Sequence, residues 1–537
     1  ASRCAVAFRV AFLAWIFLLP VLTAWIAWFS NSFREEAWYR LLTRSVAASG
    51  AAFIKWGQWS STRPDIFPEG LCRALSQLHS QAPRHRYAHT EALVEAAFGG
   101  RKVSEVFDWF GKQPIASGSI AQVHKAVLAG RVVAVKVRHP HVKERMAMDF
   151  RIMRGLAEFV DNMRSLRWMN LGPSMEQFSH TLGAQTRLDV EARHLDLFNQ
   201  NFRGWPDCSF PEALFQTEDV LVETYEEGFL VSEYTEQLHR RRRRRAEDAA
   251  AGAAAGGGRR GGDGGGGGGG EAIVRSLAAA GAMVRAAGHA GLEWIRLGCG
   301  RRVQDAELPP PMDPGLAHFV VSKGEDVYLK MLLVDNLMHA DLHPGNILVH
   351  APEDGSEPPR VVLVDAGMVA SLVDSERENF IGLLECIGLG DGAAAGARIL
   401  EFSTQQTCVD PAERRAFVDE MALLFSRCCR GYHTNVDLGV VLREALSLVR
   451  RHQVRVDVNY ATLIMNVLCL DGLAKDLTPG YNLLDGAKPL LEAHWRLKGS
   501  GVGRALLTAW MPVAQSLKRR RDRCVRSRLG RGSARPA

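Results

Sequence analysis

The segment LMHADLHPGNILVH (Leu337–His350) contains the residue pattern on which the prediction of this protein's fold depends. Asp341 and Asn346 are five residues apart, the spacing of the catalytic aspartate and the metal-binding asparagine in a kinase catalytic loop. In such a loop a carboxylate orients or accepts the proton of an attacking hydroxyl or water, and a carbonyl oxygen holds Mg²⁺. Pro344 and Gly345 allow a sharp turn between the two residues. The segment therefore predicts a phosphoryl-transfer loop.

Two further segments supply the other parts of a kinase site. VLVDAGM ends an apolar strand with Asp365 and has Gly367 two residues later, the D-x-G form in which a carboxylate binds Mg²⁺. In VVAVKVRHP, Lys136 lies among valines, where a charge is costly unless it is paired. A kinase lysine at this place holds the α- and β-phosphates, and Glu191 of LDVEARHL is the predicted carboxylate partner on a following helix.

Each of these motifs has an ordinary structural explanation when it is taken alone. An aspartate often ends a strand at a turn, and a lysine in a strand often lies at a sheet edge. Their order along the chain, Lys, Glu, Asp-x-x-x-x-Asn and Asp-x-Gly, is far less common by chance. The order predicts an α+β, two-lobed protein-kinase-like fold. The N-terminal part of the sequence adds a predicted helical extension and a predicted transmembrane helix.

The pattern of apolar residues predicts the local structure around these motifs. SIAQVHKAVLAGRVVAVKVRHP alternates apolar and polar residues on both sides of Ala129-Gly130, which predicts a β-hairpin. The region from Arg34 to Phe110 is predicted to be helical. The predicted domains are a transmembrane anchor (1–30), a helical extension with KWGQ (31–112), a kinase-like N-lobe (113–236), a low-complexity disordered insertion (237–315), a kinase-like C-lobe (316–500), and a C-terminal helix with a basic tail (501–537).

The net charge of +7 does not indicate a nucleic-acid-binding surface. The last twenty residues contain nine Lys or Arg and one Asp, so the rest of the chain is close to neutral. A basic tail of this kind is typical of a solvated or membrane-surface segment. Nucleic acid is therefore not a predicted partner.

An uncharged run of twenty residues, VAFLAWIFLLPVLTAWIAWF (Val10–Phe29), lies near the start of the chain. As a helix it would be roughly 30 Å long, the thickness of the hydrocarbon layer of a membrane. Arg9 and Arg34 bracket the run. The run predicts a membrane anchor, with a buried N-terminal helix or the apolar part of a signal sequence as alternatives.

Four motifs give the chain a specific family resemblance: KWGQ (Lys55–Gln58), ASGSIAQVHKA (Ala116–Ala126), HADLHPGN and VDAG. With them the sequence resembles the UbiB/aarF-domain-containing atypical kinases over most of Phe53–Leu491, apart from the insertion. SIAQVHKA, VLVETYEE and LIMNVLCLDGLAKDL are most similar to the second group of animal mitochondrial paralogues in that family.

The resemblance implies MgATP binding and a role in coenzyme Q or related lipid metabolism at the mitochondrial inner membrane, with a chloroplast membrane as the alternative. ATP, and membrane lipid or quinone-pathway components, are the expected partners, and a homodimer is a candidate assembly. Lys55 and Gln58 are assigned a regulatory role in an extension that folds over the place where a protein substrate would dock. ATPase activity, or a small-molecule or lipid-related substrate, is then favoured over protein phosphorylation. Nucleotide contacts are assigned to Ala116, Ser117, Gly118, Ser119, Lys136 and Glu223.

The sequence departs from familiar kinase patterns at two places. Ordinary kinases cover the phosphates with G-x-G-x-x-G, whereas the corresponding loop here contains the single glycine Gly118, so side chains crowd closer to the phosphates. The family often has Glu-x-Asp shortly before the helix glutamate, and the matching positions here are Gln185 and Arg187, followed by Asp189. The expected contacts of Lys55 with that motif are therefore in question.

Three other functions remain open at the level of sequence. His339, Asp341 and His343 alternate as H-x-D-x-H and could ligate a metal on one face of a strand. The same fold could bind ATP as a scaffold with little phosphoryl transfer. A conventional protein kinase is disfavoured because no APE-like segment follows Asp365 at the usual distance.

Overall fold

The computed structural model describes residues 3–61, 63–76, 78, 84–163, 169, 171–242, 312–352, 357–403, 405–497, 506, 509–510 and 513. The chain forms two compact units, Ala1–Ser232 with Met312–Ala537, and Glu233–Pro311. In the second unit residues 233–242 are described and are helical. Most of the predicted insertion (237–315) and of the predicted C-terminal helix and tail (501–537) lies outside the described residues.

The first unit combines many helices with three β-sheets. Up to residue 201 its helices are α1 (Arg3–Phe29), α2 (Asn31–Phe33), a π-helical turn (Arg34–Trp38), α3 (Tyr39–Ala48), α4 (Ala51–Ser61), α5 (Glu69–Leu75), α6 (Tyr87–Ala97), α7 (Val103–Val106), α8 (Val142–Asp161), α9 (Leu171–Gln185) and α10 (Leu188–Asn201). Later helices are α11 (Pro314–Lys330), α12 (Asp374–Leu389), α13 (Gly392–Leu400), α14 (Pro411–Cys428), α15 (Leu438–Arg451), α16 (Val458–Leu477) and α17 (Leu483–Leu497).

The strands fall into an upper sheet and two smaller sheets. In chain order they are β1 (Trp109–Phe110), β2 (Ala116–Ser117), β3 (Ala121–Leu128), β4 (Arg131–Arg138), β5 (Cys208–Ser209), β6 (Ala213–Gln216), β7 (Val220–Thr224), β8 (Phe229–Leu230), β9 (Met338–His339), β10 (Ile347–His350), β11 (Arg360–Leu363) and β12 (Val369–Ala370). The upper sheet has the order β1-β3-β4-β7-β6, with β2 also paired to β3. The others have the orders β5-β11-β10-β8 and β12-β9.

The predicted β-hairpin is confirmed. Strands β3 and β4 are antiparallel and fully paired, with Leu128 opposite Arg131. The two turn residues between them have positive φ angles, 50° at Ala129 and 75° at Gly130. Two consecutive left-handed residues form the turn whose twist matches that of the flanking strands. Glycine favours this conformation because it has no Cβ to clash.

Alternation along β4 decides which side chains face the apolar core and which project from the opposite face of the sheet. Val133, Val135 and Val137 are fully buried in an apolar cluster with Val220 of β7. Because successive residues of a strand point to opposite faces, Lys136 projects from the other face of the sheet. The hairpin therefore places Lys136 on the face of the sheet opposite the valine cluster.

The helical prediction for Arg34–Phe110 is correct over most of its length and wrong at its end. Trp109 and Phe110 form strand β1, paired with Val127 and Ala126 of β3. Pairing with a distant strand, which local periodicity does not encode, overrides the helical pattern here.

The first helix is the element predicted as a membrane anchor. Among the described residues, Cys4–Phe29 is the one helix that is long and apolar enough to cross a membrane. One side of α1 packs on the segment that follows it, where Ser45 Oγ donates to the Ile16 carbonyl (3.1 Å) and Trp38 Nε1 donates to the Pro20 carbonyl (2.9 Å).

Candidate functional site

Lys136 lies at the centre of a buried ionic cluster. Its Nζ is 2.6 Å from Glu191 Oε1 on α10 and 3.0 Å from Glu223 Oε1 on β7. The same ammonium donates to the Val364 carbonyl at 3.0 Å, directly before Asp365. The structure thus brings together the predicted lysine, its predicted helix partner and the strand end that carries the predicted metal ligand.

Electrostatics keep the lysine of this cluster charged although it is buried. Burial lowers the pKa of Lys136, but the Glu191, Glu223 and Asp365 carboxylates outweigh that effect and hold the pKa above its usual value. Burial raises the pKa of both Glu191 and Glu223, and Lys136 only partly opposes this effect. The ammonium therefore stays protonated, while two carboxyl groups compete for one cation.

The catalytic loop is fixed by its first histidine. His339 is buried, and its Nε2 hydrogen-bonds the Asp365 carbonyl while its Nδ1 accepts from the Asp341 backbone N–H at 3.2 Å. Asn466 of α16 is buried and donates from Nδ2 to the His339 carbonyl at 2.7 Å. These bonds join the segment that carries Asp341 to the one that carries Asp365 and anchor both on a helix.

The same geometry does not fit metal ligation by the three side chains of H-x-D-x-H. Both ring nitrogens of His339 are already engaged, and His343 Nε2 is 3.9 Å from Asp341 Oδ1. Across the part of the chain that the structure describes, no group of three His, Cys, Asp or Glu side chains is placed to hold a metal ion. This alternative is therefore not supported.

Lys55 reaches the predicted catalytic base from 286 residues away. It lies on α4, and its Nζ is 3.3 Å from Asp341 Oδ2. Burial would raise the pKa of Asp341, but Lys55, His343 and His339 outweigh it and hold that pKa well below its ordinary value. In this arrangement the carboxylate is ionised but paired with an ammonium of its own chain.

The two predicted Mg²⁺ ligands are held in orientation by neighbouring groups. Asn346 Nδ2 donates to the Asp341 backbone carbonyl at 3.0 Å. The side-chain oxygen of Asn346 is therefore the atom that can act as a metal ligand. Asp365 Oδ1 accepts from the Gly367 N–H at 2.8 Å. A carboxylate and an amide oxygen are the hard oxygen ligands that Mg²⁺ prefers, so this donor set fits the ion.

Three buried polar atoms around the cleft have no hydrogen-bond partner among the described residues: Ser117 Oγ, Glu223 Oε2 and Gln185 Oε1. Buried polar atoms are normally satisfied, so unpaired ones clustered about a predicted nucleotide site fit a polar ligand there. Two of them belong to residues assigned to nucleotide contacts.

The predicted phosphate loop is a tight connection between β2 and β3. Ala116 and Ser117 pair with Val123 and Gln122, and the Gly118 N–H donates to the Ala121 carbonyl at 2.9 Å. Ser119 is buried at its tip. A short loop of this kind can present backbone N–H groups to an anion.

The residues at the Glu-x-Asp positions do not contact Lys55. Arg187 Nη2 pairs with Asp189 Oδ2 at 2.8 Å, and Gln185 packs near Gly367. Asp189 pairs with Arg187 and does not substitute for that motif, and Lys55 pairs with Asp341.

The other residues of KWGQ hold α4 in place. Gln58 Nε2 donates to the Leu78 carbonyl at 3.0 Å. A Cβ added to Gly57 would lie 2.3 Å from Leu78 Cδ1 and 2.9 Å from Val46 Cγ1. The motif thus combines a charged residue at the site with a glycine that permits close packing behind it.

Sequence reasoning missed Asn466 as a residue that supports the site. It lies in LIMNVLCLDGLAKDL, which was singled out only for its family resemblance. A polar residue in the middle of an apolar helix was the signal available, because buried amides need partners.

Comparison with known proteins gives a match to one family model over part of the chain. The ABC1 atypical kinase-like domain matches residues 77–249 and 315–395 of this chain. The chain is similar to the probable serine/threonine-protein kinase abkC of Dictyostelium discoideum, 27% identical over 85% of this chain and 65% of that protein. It is also similar to the ABC1 family protein YPL109C, mitochondrial, of Saccharomyces cerevisiae, 24% identical over 89% of this chain and 73% of that protein. The chain thus spans about two thirds to three quarters of the length of these relatives.

Among solved structures, the chain is similar to Rv3197 of Mycobacterium tuberculosis, determined in complex with erythromycin. The sequences are 16% identical, the TM-score is 0.37, and the match covers 79% of this chain and 91% of that chain.

Proposed function

We propose that this chain, which carries an ABC1 atypical kinase-like domain of the UbiB/aarF family, binds MgATP and transfers or hydrolyses its terminal phosphoryl group. One observation supports this most directly. The Lys136 ammonium contacts the carbonyl that precedes Asp365, and the Asp365 carboxylate raises the pKa of both Lys136 and Lys55. Side chains that are far apart in sequence therefore converge at one place.

In this function Lys136 binds the α- and β-phosphates, and Glu191 orients its side chain. Asn346 and Asp365 would hold Mg²⁺, which would neutralise phosphate charge. Asp341 accepts the proton of the attacking hydroxyl or water. Because Lys55 pairs with Asp341, the Lys55 side chain must move away before Asp341 acts as a base.

The Lys55–Asp341 pair favours a second candidate, a nucleotide-binding scaffold with little phosphoryl transfer. In such a protein the ammonium remains on the carboxylate, and ATP binding alone alters the extension. Turnover separates the candidates. A scaffold binds MgATP without releasing phosphate, whereas an enzyme releases phosphate at a rate that Asp341→Asn abolishes.

The physiological setting of this activity is proposed to be coenzyme Q or related lipid metabolism at the mitochondrial inner membrane. The yeast relative is named as mitochondrial, and α1 provides an apolar helix for membrane association. Membrane lipid or quinone-pathway components are then the partners to test. Anionic vesicles or quinone-precursor analogues should raise the rate of ATP hydrolysis.

Thermal unfolding with MgATP tests nucleotide binding. At a MgATP concentration of 100 times Kd, binding stabilises the folded protein by about 2.7 kcal/mol. Asp365→Asn should abolish the shift, whereas Asp419→Asn, at an exposed aspartate on α14, should preserve it. No shift of the wild-type protein at millimolar MgATP would overturn the proposal.

A further inference from the structure

A network of buried polar side chains lies against the phosphate loop and takes no part in the site described above. We call it the histidine network; its members are His85, Thr90, Gln122, His124 and His139. Thr90, Gln122 and His124 have no exposed surface. Polar groups buried to this extent indicate a network whose members are all hydrogen-bonded.

His139 holds the phosphate loop at two points. Its backbone N–H donates to the Ile120 carbonyl at 2.8 Å. Its ring Nε2 is 2.9 Å from the Gly118 carbonyl oxygen. Both acceptors lie in the loop of the single glycine, on either side of Ser119.

The network continues from His139 through four more side chains. His139 Nδ1 is 2.7 Å from His85 Nδ1, and His85 Nε2 is 2.9 Å from Thr90 Oγ1. Gln122 Nε2 lies 3.2 Å from Thr90 Oγ1 and 3.0 Å from His124 Nε2. The chain of contacts therefore crosses the upper sheet from the phosphate loop to His124.

The two carbonyl oxygens at its ends determine where the protons lie. The Gly118 oxygen can only accept, so His139 carries its proton on Nε2 and accepts at Nδ1 from His85. His85 Nε2 then accepts from the Thr90 hydroxyl. At the other end His124 Nδ1 donates to the Gly111 carbonyl at 2.7 Å and accepts at Nε2 from Gln122.

This assignment satisfies the contacts given above with all three rings uncharged, and the longer approach of Thr90 Oγ1 to His124 Nε2 at 3.3 Å then joins two acceptors. With these tautomers, an added proton on His139 Nδ1 would direct two N–H groups at each other, whereas one on His85 Nε2 would face the Thr90 hydroxyl and reverse that contact. The surroundings favour the uncharged forms, because burial and the neighbouring histidines lower the pKa of His85 to about 3, and burial lowers the pKa of His139. The donor on His139 Nε2 is thereby fixed.

A fixed donor has a specific effect on a loop with glycine. In a trans peptide the C=O and the next N–H point in opposite directions, so a carbonyl bound to His139 directs the Ser119 N–H away from that ring. Because Gly118 is a glycine, the Gly118–Ser119 peptide can rotate. Rotation would replace the Ser119 N–H, which attracts phosphate, with the Gly118 carbonyl, which repels it.

We propose that His139 is a positioning residue for phosphate binding, which fixes the Gly118–Ser119 peptide through its Nε2–H, and that His85 fixes the tautomer of His139. This inference rests on the proposed MgATP binding. In this protein the ring provides the restraint that a loop with one glycine does not supply by itself.

The experiment compares His139→Leu, which removes the donor, with His139→Gln, whose amide N–H can replace it. MgATP affinity is measured by calorimetry, and amide hydrogen exchange of residues 115–123 is measured without nucleotide. His139→Leu should weaken MgATP binding about tenfold, or about 1.4 kcal/mol, and speed loop exchange. His139→Gln should remain within about twofold of wild type, since it keeps the donor.

His452→Leu is the matched control, because His452 is also mostly buried but lies at the end of α15. It should change neither measurement. If His139→Leu does not fold, His85→Leu replaces it and should weaken binding several-fold. Wild-type affinity and exchange in the leucine variant, or a glutamine variant as weak as leucine, would overturn the inference. A wild-type protein that fails to bind MgATP would refute the proposed function, while loop exchange would still decide the role of His139.

Discussion

Replacing Lys136 with methionine should destabilise the protein as well as remove a nucleotide contact. The side chains of Lys136, Glu191 and Glu223 are 11%, 9% and 4% exposed. Removing one partner of a buried ion pair costs about 3–5 kcal/mol, because an uncompensated charge is left behind. Here the wild-type pKa of Glu223 is already about 8, so Glu191 is the main charge left uncompensated and we expect a loss within that range.

The loss should depend on pH in a defined direction. Without the ammonium, burial and mutual repulsion raise the folded-state pKa of Glu191 and Glu223 further above the unfolded value. The folded state then binds protons that the unfolded state does not, so the free energy of unfolding rises as pH falls. Because the pKa of Glu223 is already about 8 in the wild type, its protonation below pH 8 is common to both proteins, and the deficit of the variant should shrink from pH 8 toward pH 5.5 through the further rise at Glu191.

Urea unfolding followed by tryptophan fluorescence at both pH values measures this effect. Lys136→Arg keeps a cation and should lose much less stability. Adding Glu191→Gln and Glu223→Gln to Lys136→Met removes every charge and should recover part of the loss at pH 8. A Lys136→Met variant as stable as wild type, or equally destabilised at both pH values, would refute the reasoning.

Three other predictions follow from described contacts. Gly57→Ala should loosen α4 and lower stability by about 1–3 kcal/mol, because the new methyl overlaps Leu78; equal thermal stability would contradict it. Lys55→Met should raise the pKa of Asp341, moving the acid limb of the ATP-hydrolysis profile to higher pH and increasing turnover; an unmoved limb would show that the pair does not form in solution. The folded-state pKa of His85 lies below the unfolded value of about 6.5. The contribution of uncharged His85 to the free energy of unfolding is therefore full above pH 6.5 and is lost as pH falls toward 3, with a slope of up to about 1.4 kcal/mol per pH unit. Its replacement by leucine should flatten that part of the stability curve, as urea titrations at several pH values would show.

The parts of the fold that could be predicted are those encoded by local chemistry. Alternation and a turn glycine define the β3–β4 hairpin, and the same alternation places Lys136 opposite the valine face. The two-lobed kinase-like fold follows from the order of four motifs and is confirmed. The glutamate on a following helix could be named because a buried lysine needs a nearby carboxylate.

The parts that could not be predicted depend on long-range contacts. Nothing in KWGQ encodes which carboxylate Lys55 will meet, since its partner lies 286 residues later. Trp109 and Phe110 have the composition of an amphipathic helix end, and only pairing with β3 makes them a strand. His139 contacts the Gly118 carbonyl, and a contact with a backbone carbonyl leaves no pattern in the sequence.

The packing of α1 has a consequence for its encounter with a bilayer. Arg9, the one charged residue between Cys4 and Phe29, turns inward to Asp149 of α8, with Nε at 2.7 Å from Oδ1. Alongside the helix runs the segment with the exposed Glu35 and Arg40, and charges of this kind cost several kcal/mol each in hydrocarbon. Docked and membrane-crossing forms of α1 are therefore mutually exclusive. In the docked form only the outer surface of the helix can contact lipid, and in the membrane-crossing form the helix detaches and Asp149 loses its cation. Detachment would also release the Ser49 carbonyl, which accepts from Arg9 Nη2 two residues before α4 begins. A change in the membrane contact of α1 would therefore alter the start of the helix that carries Lys55.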